Sequence, residues 1–340
     1  MNEAAPLDPT LPDPAALAEA LGRGERRALA QAITLVESSR PDHRPVADLL
    51  LEILLPRAGK SIRIGISGAP GVGKSTFIET FGLHVLSQGH RLAVLAVDPS
   101  SRLGGGSILG DKTRMTRLGR EAAAFIRPSP AGETLGGVAR RTREAMLLVE
   151  AAGHDVVLVE TVGVGQSETA VADMTDMFLL LLLPGSGDDL QGIKRGIVEL
   201  ADLILVNKAD GALKEVAART ATDYQHALRL LHSSTPGWTP EVRTCSALEG
   251  TGIAEAWSAI ERFRASLGEA ALAERRAAQA KAWLRAELSD SLLAALARHP
   301  AVRGRLPALE AEVAAGRLAP GAAARLLLAE FLKDPRPAGG

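Results

Sequence analysis

Ile62-Arg63-Ile64-Gly65-Ile66-Ser67-Gly68-Ala69-Pro70-Gly71-Val72-Gly73-Lys74-Ser75-Thr76 decides the fold. A short β-type run, Ile62–Ile66, enters a glycine-rich turn, and a helix-forming segment leaves it from Lys74 to about Gln88. Gly68 to Ser75 matches the phosphate-loop pattern GxxxxGK[ST]. Its glycines let the backbone wrap so that successive N–H groups face phosphate oxygens. The following helix N-terminus adds partial positive charge. Lys74 is placed to reach β- and γ-phosphates, and the Ser75 hydroxyl to ligate Mg²⁺. A plain glycine turn between strand and helix is the bland alternative, but Lys-Ser at the loop's end argues against it.

Outward from this unit, similar β-type runs recur at Leu92–Val97, Val156–Val159, Phe178–Leu183, Leu203–Val206 and Val242–Cys245. Helical stretches separate most of them: Val138–Ala152, Ile193–Ala201 and Ala212–Leu231. Strands that are apolar throughout are buried on both faces. Strand–helix alternation therefore predicts an α/β fold, a mostly parallel sheet flanked by helices. Ala15–Arg40 reads as one or two short helices and Val46–Leu55 as another, closed by Pro56. After Thr251 only helices are expected, at Ile253–Ser266, Glu269–Arg298 and near Leu306–Leu332. Expected domains are an N-terminal tail and helical segment (1–56), a nucleotide-binding domain (57–267) and a C-terminal helical extension (268–340). Leu284, Leu288, Leu292 and Leu296 recur at four-residue spacing, with Trp283 beside them. That stripe is either core packing or a dimer seam.

A second acidic element is Val156-Val157-Leu158-Val159-Glu160-Thr161-Val162-Gly163. Its apolar strand delivers Glu160 at the C-terminal end, where ligands bind in open α/β sheets. Glu160-x-x-Gly163 stands where GTPases ordinarily carry Asp-x-x-Gly. The longer carboxylate reaches the magnesium shell directly or through water, and the Gly163 N–H faces a γ-phosphate. Asp98, in Asp98-Pro99-Ser100-Ser101, also follows a strand end; it is either a metal-shell acid or a turn-initiating Asp before Pro.

Leu203–Val206 leads into Asn207-Lys208-Ala209-Asp210, an NKxD element. Asp210 accepts hydrogen bonds from the N1–H and exocyclic amine of guanine, a pattern adenine lacks. The Lys208 stem lies along the base plane and Asn207 braces neighbouring loops. Ser246-Ala247-Leu248 follows the next strand and resembles the element whose backbone meets the guanine oxygen. The expected ligands are GTP/GDP and Mg²⁺, bound by Gly68, Ala69, Pro70, Gly71, Val72, Gly73, Lys74, Ser75, Thr76, Asn207, Lys208, Asp210, Ser246, Ala247 and Leu248. Lys74, Glu160 and Gly163 are the candidate catalytic groups.

Three loops are candidate switches. Leu103–Met115 is glycine-rich and then charged: either a flexible connector or a loop ordered by γ-phosphate and metal, with Asp111 near the ion. Val164–Glu168 follows Gly163. In Ras-like proteins a water-positioning Gln follows that glycine; here Val164 does, so slow intrinsic hydrolysis is expected. The third, Pro184–Gly196, combines glycine hinges with Asp188, Gln191 and Lys194 at a strand's ligand end.

Bulk properties narrow the classes. The 340 residues are 46% hydrophobic and 23% charged, with 39 basic against 40 acidic side chains. A net charge of −1 supplies no general attraction to nucleic acid or anionic membrane. The single cysteine, Cys245, excludes an intrachain disulfide and fits a reducing compartment. Met1–Pro14 lacks the order of a signal peptide, and the run Met177–Leu183 is too short to span a bilayer. A cytoplasmic location is expected.

Taken together, Gly68–Thr76, Val97–Ser101, Gly105–Met115, Phe125–Pro130, Thr134–Val138, Val159–Glu168, Leu183–Gly196 and Asn207–Asp210 resemble the MeaB/ArgK family. These are G proteins associated with methylmalonyl-CoA mutase and similar to the human methylmalonic aciduria type A protein. The resemblance spans about residues 15–335 and is strongest from 60 to 210. It implies a chaperone that gates adenosylcobalamin loading of methylmalonyl-CoA mutase, or a related acyl-CoA mutase, and protects it. It also implies a homodimer with contacts from the C-terminal helical arm. In the family pattern Ser75, Asp98, Asp111 and Glu160 surround magnesium, and Gly185–Gly196 is a third switch that communicates with the mutase. Family members were once labelled accessory ATPases or kinases for basic amino-acid transport, which is the alternative reading. A nickel metallochaperone is disfavoured by one cysteine and seven scattered histidines.

Overall fold

The computed structural model describes residues 11–97, 115–127, 135–161, 167–186, 195–229 and 235–333. Among them, seven strands form one sheet in the order β3-β2-β4-β1-β5-β6-β7. The strands are β1 (Ile62–Gly68), β2 (Leu92–Val97), β3 (Ala124–Arg127), β4 (Val156–Thr161), β5 (Met177–Leu182), β6 (Leu203–Val206) and β7 (Glu241–Thr244). Every neighbouring pair is parallel. β1, β2, β4, β5 and β6 are buried along their whole length, whereas β7 is half-buried at the edge. This is why the inner strands read as unbroken apolar runs.

The strand Ala124–Arg127 is missing from the reading of the sequence. Only four residues long, it extends the sheet beyond β2 by pairing Leu92 with Ala124 and Leu95 with Arg127. Three further differences concern helices. The C-terminal stretch is two helices, Pro300–Ala314 and Pro320–Lys333, each opened by a proline whose fixed φ suits the first helical turn. Residues Ser167–Ala172 form a short helix where a loop was expected to continue to Glu168. The helix expected to begin at Ala212 starts as a 3₁₀ turn, Gly211–Leu213, and becomes α-helical over Lys214–Arg229.

Residues 1–277 and 278–340 form two compact units. In the first, α1 (Pro14–Gly22), α2 (Arg26–Glu37) and α3 (His43–Leu54) pack together and against the helix Leu135–Ala151. α4 (Lys74–Ser87) carries Phe77 stacked on Phe81, whose ring meets Trp257 edge-on at 5.9 Å. Trp257 belongs to the helix Ile253–Arg298, which Gly268 interrupts with φ 68° and ψ 169°. In the second unit, Arg305 pairs with Glu330 at 2.6 Å and His299 meets Phe331 edge-on. Leu284, Leu288 and Leu292 are 70%, 59% and 53% exposed, and Leu296 is partly buried. No helix among the described residues is long and apolar enough to cross a membrane.

The strand starts are tied by buried charges. Arg63 on β1 makes a bidentate pair with Glu150, at 2.7 and 2.8 Å. Asp176, ahead of β5, accepts from the Arg63 N–H at 2.8 Å and from Arg276 at 2.8 and 2.5 Å. Arg276 also donates to the carbonyls of Gly59 and Ser61. Burial pushes the Glu150 carboxylate up, but Arg63, Ser61 and the Gly59 N–H outweigh it and hold it below the usual range.

Candidate functional site

β1 ends at Gly68, and the chain turns through Ala69–Val72 into α4. The turn closes with the Val72 N–H donating to the Ala69 carbonyl at 3.2 Å. Gly73 caps α4 in the left-handed region, at φ 93° and ψ 30°. A Cβ there would lie 2.9 Å from Asn207 Nδ2, so both backbone and space demand glycine. At Gly68 a Cβ would meet the Leu181 carbonyl oxygen at 2.6 Å.

Lys74 opens α4, and its Nζ donates to the Gly68 carbonyl at 2.7 Å, arching back over the loop. Burial lowers its pKa from the usual lysine value, opposed by the carboxylates of Glu160 and Glu168. Those two acids therefore act electrostatically on the phosphate-loop lysine although they lie more than eighty residues away in sequence. The sheet explains Glu160: β4 pairs in parallel with β1, setting Glu160 opposite Ile66 just before the loop begins. Thr161, beside it, donates to Ser67 Oγ at 3.0 Å across the same two strands. Glu168, buried in the helix Ser167–Ala172, is a residue that the motif reading did not assign; its only sequence signal was an acid shortly after Gly163.

The base-side elements converge on the same end of the sheet. The Asn207 N–H continues β6 by donating to the Leu182 carbonyl at 2.9 Å. Its side chain, 1% exposed, donates from Nδ2 to the Val72 carbonyl at 2.8 Å and accepts at Oδ1 from the Ala247 N–H at 3.0 Å. The Cys245 thiol contacts the same Oδ1 at 3.6 Å. One amide thus ties the phosphate loop to the Ser246–Leu248 turn. Burial pushes the Cys245 thiol up to about 12, which keeps it protonated and inert.

Lys208 has φ 60°, the only positive φ outside glycine among the described residues. Such strain costs on the order of 1–3 kcal/mol and persists where the surroundings enforce it. Here its stem passes beside Gly73, with Cε 4.0 Å from where a Cβ on that glycine would sit. Asp210 accepts from Ser246 Oγ at 2.5 Å, which holds its carboxylate against the Ser246–Leu248 turn. The Ser246 hydroxyl also accepts from the Glu249 N–H at 3.1 Å. Leu248 is 81% exposed at the rim.

Of the residues singled out in the sequence, Gly68–Thr76, Glu160, Asn207, Lys208, Asp210, Ser246, Ala247 and Leu248 therefore lie at the C-terminal ends of β1, β4, β6 and β7, in the turns that follow them or, for Lys74–Thr76, in the first turn of α4. Asp98, Asp111, Gly163, Val164, Asp188, Gln191 and Lys194 lie outside the described residues. The start of the third loop is described. The Gly185 N–H donates to Thr220 Oγ1 at 2.9 Å, and the Tyr224 hydroxyl reaches the Ser186 carbonyl at 3.4 Å. Among the described residues no three His, Cys, Asp or Glu side chains converge as a metal-holding group.

Comparison with known proteins is consistent across sequence and structure. Residues 29–301 match the family model described as methylmalonyl-CoA mutase-associated GTPase MeaB. A protein described as a putative GTPase from Caulobacter vibrioides is 57% identical over 309 residues, covering 91% of this chain and 94% of the relative. The methylmalonic aciduria type A homolog, mitochondrial, of Mus musculus is 50% identical over 322 residues, covering 92% of this chain and 78% of that protein. GTPase ArgK of Escherichia coli is 52% identical over 283 residues, covering 82% and 86%. A solved structure described as a LAO/AO transport system kinase superposes with a TM-score of 0.75 at 40% identity, covering 97% of this chain and all of that one.

Proposed function

The chain belongs to the MeaB family of methylmalonyl-CoA mutase-associated GTPases, and from that membership we propose that it hydrolyses GTP to gate adenosylcobalamin loading of a methylmalonyl-CoA mutase, or a related acyl-CoA mutase, and to protect that enzyme. The observation that carries the nucleotide reading is the Asn207 amide, which joins the phosphate loop to the base turn in one buried contact.

In this reading the phosphates lie against the Ala69–Ser75 backbone, and Lys74 exchanges its Gly68 carbonyl for β- and γ-phosphate oxygens. The carboxylates of Glu160 and Glu168 favour the charged form of Lys74 against burial, which suits the charge on the transferred phosphoryl group. The donors supplied by Ser75 and Glu160 are hard oxygens, the chemistry that suits Mg²⁺; Asp98 and Asp111 complete the proposed set. Mg²⁺ held by these residues would supply positive charge to offset that developing on the phosphate oxygens. The Gly163 N–H senses the γ-phosphate, and Asp210 receives the guanine N1–H and amine. Val164 leaves the attacking water without a side-chain amide, so hydrolysis is slow until the partner arranges the loops.

The loop carrying Asp188, Gln191 and Lys194 leaves β5 at the nucleotide end and is the proposed signal to the mutase. The exposed Leu284, Leu288 and Leu292 support a homodimer seam on the C-terminal arm. The protein is proposed to be cytoplasmic, with no nucleic-acid or membrane partner.

Gel filtration of the purified chain with an adenosylcobalamin-dependent methylmalonyl-CoA mutase tests the partner. Co-elution that changes between GDP and a non-hydrolysable GTP analogue is expected. No association in either state would remove the mutase role and leave the GTPase. The relative described as a transport system kinase favours a second reading, accessory ATPase or kinase for basic amino-acid transport. Preferential binding of ATP over GTP would support that alternative.

A further inference from the structure

The turn that meets the base has its backbone polar groups assigned almost completely. The Ser246 N–H donates to the Thr251 carbonyl at 2.9 Å, and the Gly250 N–H donates to the Ser246 carbonyl at 2.8 Å. The Ala247 N–H is taken by Asn207 Oδ1, and the Glu249 N–H by Ser246 Oγ. The Ala247 carbonyl accepts from Thr80 Oγ1 at 2.7 Å. Thr80 stands two turns along α4, the helix that begins at the phosphate loop. Among the described residues, the Leu248 N–H has no acceptor.

The Ala247 carbonyl and the Leu248 N–H belong to one planar trans peptide and point in opposite directions. By turning the carbonyl onto α4, Thr80 turns the Leu248 N–H away from α4. Leu248 is 81% exposed, in the same turn whose Ser246 hydroxyl donates to Asp210. Neither Asn207 nor Ser246 can do this, because they hold the two N–H groups on either side of this peptide and not its carbonyl.

We propose that Thr80 is a specificity-positioning residue: its hydroxyl fixes the Ala247–Leu248 peptide so that the Leu248 N–H donates to the O6 of guanine. The inference rests on the guanine reading of the pocket. Adenine places an amine donor at that position, so a fixed N–H there rejects it while Asp210 selects the other edge. The phosphate helix and the base turn are then coupled twice, by Asn207 at one end of the turn and by Thr80 beneath it.

The test compares Thr80→Val, which keeps shape and loses the donor, with Thr80→Ser, which keeps the hydroxyl. The probes are GDP and 6-thioguanosine 5′-diphosphate, which retains N1–H and the 2-amine but carries a weak acceptor in place of O6. Thr80→Val is expected to weaken GDP about tenfold, the scale of one well-placed hydrogen bond, and the thio analogue by less than about twofold. Thr80→Ser is expected to restore the wild-type preference. Thermal unfolding of both variants accompanies the titrations. Equal loss of both nucleotides in Thr80→Val, or loss of neither, would overturn the role of Thr80 while leaving guanine binding intact. A wild-type protein that does not prefer GDP to ADP would overturn the guanine reading and this inference with it.

Discussion

Replacing Asn207 with alanine removes one side chain and opens two loops. The amide donates to the Val72 carbonyl at 2.8 Å and accepts from the Ala247 N–H at 3.0 Å, in a site only 1% exposed. Each backbone group left unpaired there costs about 1–3 kcal/mol if it stays dry, and less where water enters the vacated space. About 2–4 kcal/mol is therefore lost from the closed arrangement of phosphate loop and base turn. In the unliganded protein the loops relax and recover part of it, so the cost reappears when nucleotide must close them. The expected result is GDP binding weakened between about 30-fold and 1,000-fold, measured by titration calorimetry or displacement of a fluorescent GDP analogue. Thermal unfolding of the unliganded variant should fall by only a few degrees. Asn207→Asp keeps the acceptor for Ala247 but sets a carboxylate against the Val72 carbonyl, so it should be no better than alanine. An alanine variant that binds GDP within about threefold of wild type would refute the idea that this amide holds the site together.

Asp210→Asn should reverse base choice, since an amide matches the carbonyl of xanthine where a carboxylate matches the guanine amine; competition of GDP against xanthosine diphosphate reads the switch, and an unchanged preference for GDP would exclude Asp210 from base contact. His154 is buried, with its pKa lowered to about 4 chiefly by burial, from the usual histidine value of 6.5. The folded state therefore binds fewer protons than the unfolded chain between pH 6.5 and 4. Stability should fall as pH drops through that window, by about 1.5 kcal/mol between pH 6.5 and 5. Urea unfolding of His154→Gln should show a correspondingly flatter profile, and a profile parallel to wild type would contradict this. Arg276→Met leaves the buried Asp176 carboxylate without its guanidinium, which should lower unfolding stability by about 3 kcal/mol; adding Asp176→Asn should recover part of the loss, and simple additivity of the two changes would argue against direct coupling.

The nucleotide end of the sheet was legible in the sequence because its chemistry is local. A phosphate loop needs glycines, lysine and serine in one short run, and NKxD keeps brace and base acceptor three residues apart. The inner strands were legible because burial on both faces leaves no polar alternation. β3 was not, since Ala124–Arg127 offers only four residues and acts as a strand only because β2 is beside it. The opposite end of the sheet was invisible for a different reason. Arg63, Glu150, Asp176 and Arg276 are scattered over more than two hundred residues, and nothing in their local sequence marks them as partners. Thr80 was missed likewise, since it looks like an ordinary helix residue until the fold brings Ala247 to it; Glu168, expected in a loop, gains its part only where the fold sets its charge near Lys74. Gly268, by contrast, fell between two expected helices, and the structure breaks the long helix there.

The most direct test of a partner-tuned GTPase is single-turnover hydrolysis of GTP by the purified chain with Mg²⁺, alone and with excess methylmalonyl-CoA mutase. The expected result is slow release of phosphate by the chain alone and a clear acceleration when the mutase is added. Fast turnover without any partner, or a rate that the mutase leaves unchanged, would contradict the proposed role.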